Sequence, residues 1–331
     1  MHDRIPRRGW LGGAAAAVAA AAARGGRPAA GGKPDLLTAD FPPEPDPPPL
    51  PITDTHVHFW DLAKFRLPWL AGEPLLNRDY LWEDYLRATE GLNVVRAIYM
   101  EVDVDPSQQE EEAAEVVARC RRGDSILQAA VISGRPGSER FAQTMRRFAA
   151  MPEVKGVRQV LHGAATPRGY CLQAEFVRDV ALLGELGLSF DLCLRPGELG
   201  DGARLARECP GTTFILDHCG NPEVFASDLE LWKAGLGAIA RHPHVYCKVS
   251  GIVASTRGRR WMPQDLAPIV DRVFAEFGPD RVIFGGDWPV CTLGAPLGAW
   301  VGALREVVRN RPLPDQRKLF HENAAVAYRL R

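Results

Sequence analysis

Ile52-Thr53-Asp54-Thr55-His56-Val57-His58 is the stretch whose reading decides the fold. It is rich in β-branched residues, and side chains alternate along a strand, so His56 and His58 share one face at its C-terminal end. Working outward, seven further short apolar runs follow: Val94–Val102, Ile126–Ile132, Val154–Leu161, Leu188–Leu194, Thr212–Leu216, Val245–Val249 and Arg281–Phe284. Between them lie segments with helical spacing, among them Gln108–Arg121, Glu139–Ala149, Gln173–Leu186 and Leu266–Phe277, and a terminal helix is expected over Asp315–Arg329. Strand and helix in alternation make parallel βαβ units. Eight such units within residues 51–331 fit an α/β fold of the closed (β/α)₈ TIM-barrel type. The competing architecture is an open doubly wound sheet, but no GxGxxG or P-loop follows the first strand.

Barrel enzymes place their chemistry at the C-terminal ends of the strands, and here those ends are polar. His56 and His58 can converge on one ion or one oxyanion. The sixth run leads into Asp217-His218-Cys219-Gly220, with His218 at a matching height and Asp217 of opposite parity, which suits a supporting role. The eighth leads into Gly285-Gly286-Asp287-Trp288-Pro289, and it lies beside the first in a closed barrel. Asp287 can take a proton from water or bind a metal; the plainer alternative is a helix cap. Other ends carry Glu101, Arg158 with His162 in matching parity, Asp191 with Arg195, Lys248 and Ser250. Any of these taken alone could be structural, and Asp191 with Arg195 could be an internal ion pair. Nearly every strand ending in such a group is harder to ascribe to packing.

Composition excludes other classes. The formal net charge is −1 and the Lys and Arg residues are dispersed, so nothing draws the chain to nucleic acid or an anionic membrane. Apart from the alanine run near the N-terminus, no segment has the length and apolarity of a membrane span. The seven cysteines form no CxxC pair and are odd in number, which disfavours a zinc ribbon or a disulfide framework. They read as small buried hydrophobes.

The N-terminus reads as an address. Arg7-Arg8-Gly9-Trp10-Leu11 precedes the run Ala14–Ala23, which resembles a twin-arginine export signal over residues 1–30, with Trp10 where Phe is usual. The mature protein is then expected in the periplasm or outside the cell. Residues 31–50 end in FPPEPDPPPL, an extended proline-rich tether.

Three motifs now add up to a resemblance. DTHVHFW from Asp54, LDHCGNP from Leu216 and FGGDWPV from Phe284 resemble the amidohydrolase-related family that contains sugar lactonases, in particular its L-fuconolactonase-like branch. GVRQVLH from Gly156 is similar to the family's fourth-strand segment, and HENAAVAYRL from His321 to its final helix. The likeness runs from about residue 50 to the end. It implies a (β/α)₈ barrel that hydrolyses a carboxylic ester or lactone, with either no metal or one divalent ion, zinc first among the candidates. The bridging lysine of binuclear amidohydrolases is missing, because strand four offers Arg158 and His162. A mononuclear site would draw on His56, His58 and Asp287, with Glu101 or His218.

Lactone opening needs an activated water and a polarised carbonyl. Asp287 is the expected base, with His56, His58, His218 and Arg158 around the oxyanion. Arg158, His162, Asp191, Arg195, Lys248 and the basic loop Arg257–Arg260 are candidates for binding oxygen-rich substrate groups. Trp60 and Trp288 are candidates for stacking on a ring. The partner is thus a small molecule, and self-association stays open. Two rivals are a metal-dependent decarboxylase of an aromatic or unsaturated acid, disfavoured by the intact HxH, and a non-catalytic binding barrel, disfavoured by the intact His218 and Asp287. The export reading predicts that replacing Arg7 and Arg8 together by lysine strands the precursor in the cytoplasm. Unchanged processing in a cell-fractionation assay would remove that address.

Overall fold

The computed structural model describes residues 49–123 and 125–330. The export signal expected over residues 1–30 and the tether over 31–50, save its last two residues, lie outside the described residues.

Eight parallel strands run in the order β1 to β8. They are β1 Ile52–Val57, β2 Val94–Met100, β3 Leu127–Ser133, β4 Val154–Val160, β5 Ser189–Cys193, β6 Phe214–Leu216, β7 Val245–Val249 and β8 Val282–Phe284. Each is followed in turn by a helix: α1 Trp82–Ala88, α2 Gln109–Arg121, α3 Phe141–Ala149, α4 Ala174–Glu185, α5 Leu199–Glu208, α6 Glu230–Ala240, α7 Pro263–Phe277 and α8 Leu297–Val308. β8 returns to β1 through a bridge between Val57 and Trp288. There the His58 N–H donates to the Trp288 carbonyl, and the Asp287 N–H to the His56 carbonyl, each at 2.8 Å. The last two strand ends therefore hold each other by their backbones, which puts His56, His58 and Asp287 at one height.

The helices bury one stripe each. α2 turns Ala113, Val116, Val117 and Cys120 inward, at the spacing of a single helix face. All seven cysteines are buried and free, as hydrophobe-like packing requires. At the C-terminus the helix expected over Asp315–Arg329 runs without a break from Leu313 to Ala327 but carries a π-helical turn in its middle. Leu313–Arg317 and Asn323–Ala327 flank a π-helical turn, Lys318–Glu322. The wider turn drops Leu319 and Phe320 into the core. It also lets the Asn323 amide donate to the carbonyls of Pro279 and Val282, both at 2.8 Å, at the foot of β8.

One buried acid in α2 is held protonated. Glu112 accepts from the Tyr99 hydroxyl at 2.9 Å and the Val102 N–H at 2.8 Å. Burial, reinforced by the nearby Glu101 carboxylate, pushes it up to about 8. Unfolding restores its ordinary value of 4.5, so between pH 4.5 and 8 the folded chain holds a proton the unfolded chain has released. Stability from this group is therefore lost as pH rises through that window, by about 1.4 kcal/mol per unit at most. Glu112→Gln keeps both acceptor contacts and has no proton to lose. Urea midpoints of wild type and variant at pH 5 and pH 8 should diverge, with the variant gaining at pH 8. A difference that is the same at both values would overturn the protonated assignment.

Candidate active site

At the C-terminal mouth of the barrel a cavity of about 300 Å³ is floored by His58, Arg158, His218 and Asp287. Asp287 is 2 % exposed and its backbone is left-handed, φ 56°, a conformation that L residues adopt sparingly and that recurs at functional sites. Its carboxylate faces the two histidines of β1: Oδ1 lies 3.5 Å from His58 Nε2 and 3.7 Å from His56 Nε2. The helix-cap alternative does not hold, since the turn after Pro289 has no side-chain cap. His58 is oriented by a contact of 3.0 Å from its Nδ1 to the Met100 carbonyl. His218 is oriented in the same way by Ser250 Oγ, 2.9 Å from its Nδ1. Behind it Gly251 has φ 68°, and a Cβ there would stand 2.4 Å from the His218 ring, so only glycine leaves the imidazole its place.

Asp217 sits among the buried ions beneath the cavity and does not line it. β6 stops at Leu216, and His218 and Cys219 adopt left-handed φ values of 53° and 55°. Alternation ends there, so Asp217 and His218 both reach the centre of the barrel instead of opposite faces. Fully buried, Asp217 lies 3.4 Å from His56 Nδ1, 2.9 Å from Lys248 Nζ and 3.6 Å from Arg158 Nη1. Lys248 also donates to Asp191 at 2.9 Å and approaches His56 Nδ1 at 3.1 Å, while the Tyr328 hydroxyl donates to Asp191 at 2.6 Å. Burial alone would discharge Lys248, but Asp191 and Asp217 outweigh it and hold its pKa above the ordinary value. Burial would likewise raise Asp217, and the Lys248 ammonium instead holds it well below the carboxylate range. For Asp191 burial wins over Lys248 and pushes it up to about 6. Burial and the Lys248 charge keep His56 neutral, and burial lowers His218 as well.

Several other candidates are placed differently from the sequence expectation. Lys248 and Asp191 lie beneath the cavity as a buried ion pair and do not line it. Arg195 pairs with Glu198 at 2.7 Å and donates to the carbonyls of Gly163 and Thr166, bracing the loop after β4. Trp60 and Trp288 are buried in an aromatic cluster around Tyr80, because Trp60 pairs with Tyr80 as a short antiparallel bridge. Glu101 is held by Arg158 at 2.6 Å and Ser133 at 2.7 Å, away from the cluster that could hold a metal. Its other face accepts from the Asp103 N–H. Arg158 and His162 do line the cavity, as does Arg257 of the basic loop, although Arg257 is paired with Glu73. Trp69, Glu73 and Leu76 also line it; they sit in the loop after β1, and no strand-end pattern marks them.

His56, His218 and Asp287 each bring one ligand atom within 4.8 Å of the others, a nitrogen–nitrogen–oxygen set that suits one divalent ion. The partners that orient His58 and His218 through their Nδ1 atoms are those a metal-ligating histidine needs.

The amidohydrolase family model matches residues 53–330. The chain belongs to this family. It is 32% identical to an L-fucono-1,5-lactonase of Burkholderia multivorans, over 73% of this chain and 83% of the relative. It is 24% identical to an L-rhamnono-gamma-lactonase of Scheffersomyces stipitis, over 84% of this chain and 98% of that one. Among solved structures, an amidohydrolase from Burkholderia multivorans with bound zinc superposes with a TM-score of 0.76 at 27% identity, covering 85% of this chain and all of the other.

The buried ion array should be a large term in stability. Lys248→Met replaces a cation by an apolar chain of similar length and leaves Asp191 and Asp217 uncompensated. Breaking one partner of such an array costs about 3–5 kcal/mol. Urea unfolding of the variant should show a loss in that range; a loss under about 1 kcal/mol would mean the array relaxes without its cation.

Proposed function

We infer that this amidohydrolase opens a lactone by attack of an activated water, with Asp287 as the base. The observation that carries the reading is the Asp287 carboxylate at the cavity floor, within 3.7 Å of both β1 histidines and in a group that is almost wholly buried. The lactonase names of the relatives favour this chemistry over decarboxylation, which would use the same strand ends.

The steps follow from the side chains. Water bound at the floor gives a proton to Asp287 as its oxygen forms a bond to the lactone carbonyl carbon. The carbonyl electron pair moves onto oxygen, where the Arg158 guanidinium and the His218 imidazole face it. Arg158 is pre-set for this task, since Glu101 accepts from its Nε at 2.6 Å and from its Nη2 through the backbone carbonyl at 2.7 Å. The tetrahedral adduct then collapses, the ring C–O bond breaks, and the departing alkoxide takes the proton back from Asp287. The product is the open-chain hydroxy acid. A zinc ion held by His56, His218 and Asp287 would supply Lewis-acid polarisation of the carbonyl and a more acidic water.

Asp287→Asn tests the assignment. Asparagine keeps the size and the backbone turn but accepts no proton. Turnover of a lactone panel, followed with a pH indicator, should fall by about 10²-fold or more while the circular dichroism spectrum is unchanged. A folded variant with near-normal turnover would take Asp287 out of the mechanism. Elemental analysis of the same samples should find at most one tightly bound ion per wild-type chain, since the two candidate ligand groups, His56–His218–Asp287 and Cys193–Asp217–His218, share His218.

A further inference from the structure

The walls of the cavity differ in kind from its floor. Above His58, His218 and Asp287 rise Trp69, Leu76, Val102, Val160, Val290 and Leu293. Of the polar groups that share this lining, the His162 imidazole faces the cavity while the others are already engaged. The Trp69 indole N–H donates to the Val102 carbonyl at 2.8 Å. The Arg257 guanidinium is forked onto Glu73 at 2.7 and 3.0 Å. Asp103 accepts from Arg135 at 2.7 Å, and Arg158 is held by Glu101. A ligand body therefore meets mainly hydrocarbon on its flanks, with His162 the polar exception, and most of its hydrogen-bonding groups at the reacting end.

We propose that the substrate is a lactone whose ring carries an apolar side chain and few hydroxyls, seated with its ester at the histidine–aspartate floor and its hydrocarbon against the Trp69–Leu76–Leu293 wall. This rests on the lactone-hydrolase reading and narrows it. A volume of about 300 Å³ is that of roughly ten waters, enough for a lactone ring and a short alkyl chain. A sugar lactone would press several hydroxyls against the wall. Those that do not reach His162 would lose their hydration without gaining a partner, since the other donors and acceptors of the wall are taken. Discrimination against a single added hydroxyl by a hydrophobic pocket reaches about 10²-fold.

The test uses the full chain and two δ-lactones of similar size, one with a short alkyl substituent and one fully hydroxylated. kcat/KM should favour the alkyl lactone by about 10²-fold or more. Val290→Thr keeps the shape of a half-exposed wall residue and adds a hydroxyl, so the ratio should narrow severalfold. Equal rates, or a preference for the hydroxylated lactone, would overturn the apolar-substrate assignment and leave lactone hydrolysis standing. A ratio unchanged in Val290→Thr would overturn the wall as its source. Turnover of neither compound, nor of any other cyclic ester in the panel, would overturn the lactonase reading and this one with it.

Discussion

One buried ammonium organises the barrel interior. Lys248 Nζ lies 2.9 Å from a carboxylate oxygen of both Asp191 and Asp217, and all three side chains are wholly shielded from water. An uncompensated charge there would be untenable, so the three must keep close company or none can remain ionised. They come from β5, from the end of β6 and from β7, and the array therefore ties three neighbouring strands at one level. His56 is the next group out, with Nδ1 against both Lys248 and Asp217. The position of that ring, and so of the Nε2 it turns toward Asp287, is inherited from the ions below it. Tyr328 extends the same chain of contacts to the C-terminal segment through Asp191. This gives the final helix a reason to be where it is.

Above that layer the backbone does the placing. Asp287, His218 and Cys219 all have φ near 55°, which costs free energy for residues with a Cβ. The cost is met locally. The Asp287 N–H is tied to the His56 carbonyl, and the Gly286 N–H donates to Asp54 at 2.7 Å. The Asp54 carboxylate also accepts from the His56 N–H and the Tyr85 hydroxyl, both at 3.0 Å. One buried carboxylate thus fastens the ends of β1 and β8 to α1. The acid that opens the DxHxH motif acts on the backbone that presents the chemistry.

What could be read from the sequence follows from which rules are local. Parity along an unbroken strand is local, so His56 and His58 were legible, as were the eight runs and the glycines that set Asp287 at the end of β8. The direction of His218 was not, because its own left-handed backbone breaks the alternation that Ile215 and Asp217 still obey. Trp60 and Trp288 illustrate a second failure. They flank the right motifs, but the antiparallel bridge to Tyr80 that buries Trp60 is made by a loop with no periodic signature. The pairing of Arg257 with Glu73 spans 184 positions and joins two loops, so charge alone left Arg257 free to meet substrate. Glu101 had the right position for a ligand, yet the buried guanidinium of Arg158 claims it first.

That last competition explains how one floor can present both an electrophile and a ligand cluster. The Arg158 Nη1 atom stands 3.3 Å from His56 Nε2, close to the nitrogen through which His56 would meet an ion. An unpaired guanidinium there would repel any bound cation and weaken it at short range. Here Glu101 accepts from Arg158 with both a carboxylate oxygen and its backbone carbonyl, and Asp217 lies 3.6 Å from the same guanidinium. Burial would make Glu101 reluctant to ionise, but the guanidinium beside it outweighs that and keeps its pKa low. The charge of Arg158 is therefore balanced by Glu101 on its Nε side and by Asp217 on its Nη1 side, where Nη1 also meets His56. Glu101 neutralises Arg158 from its Nε side, and a carboxylate drawn away to bind an ion would leave that guanidinium with Asp217 alone.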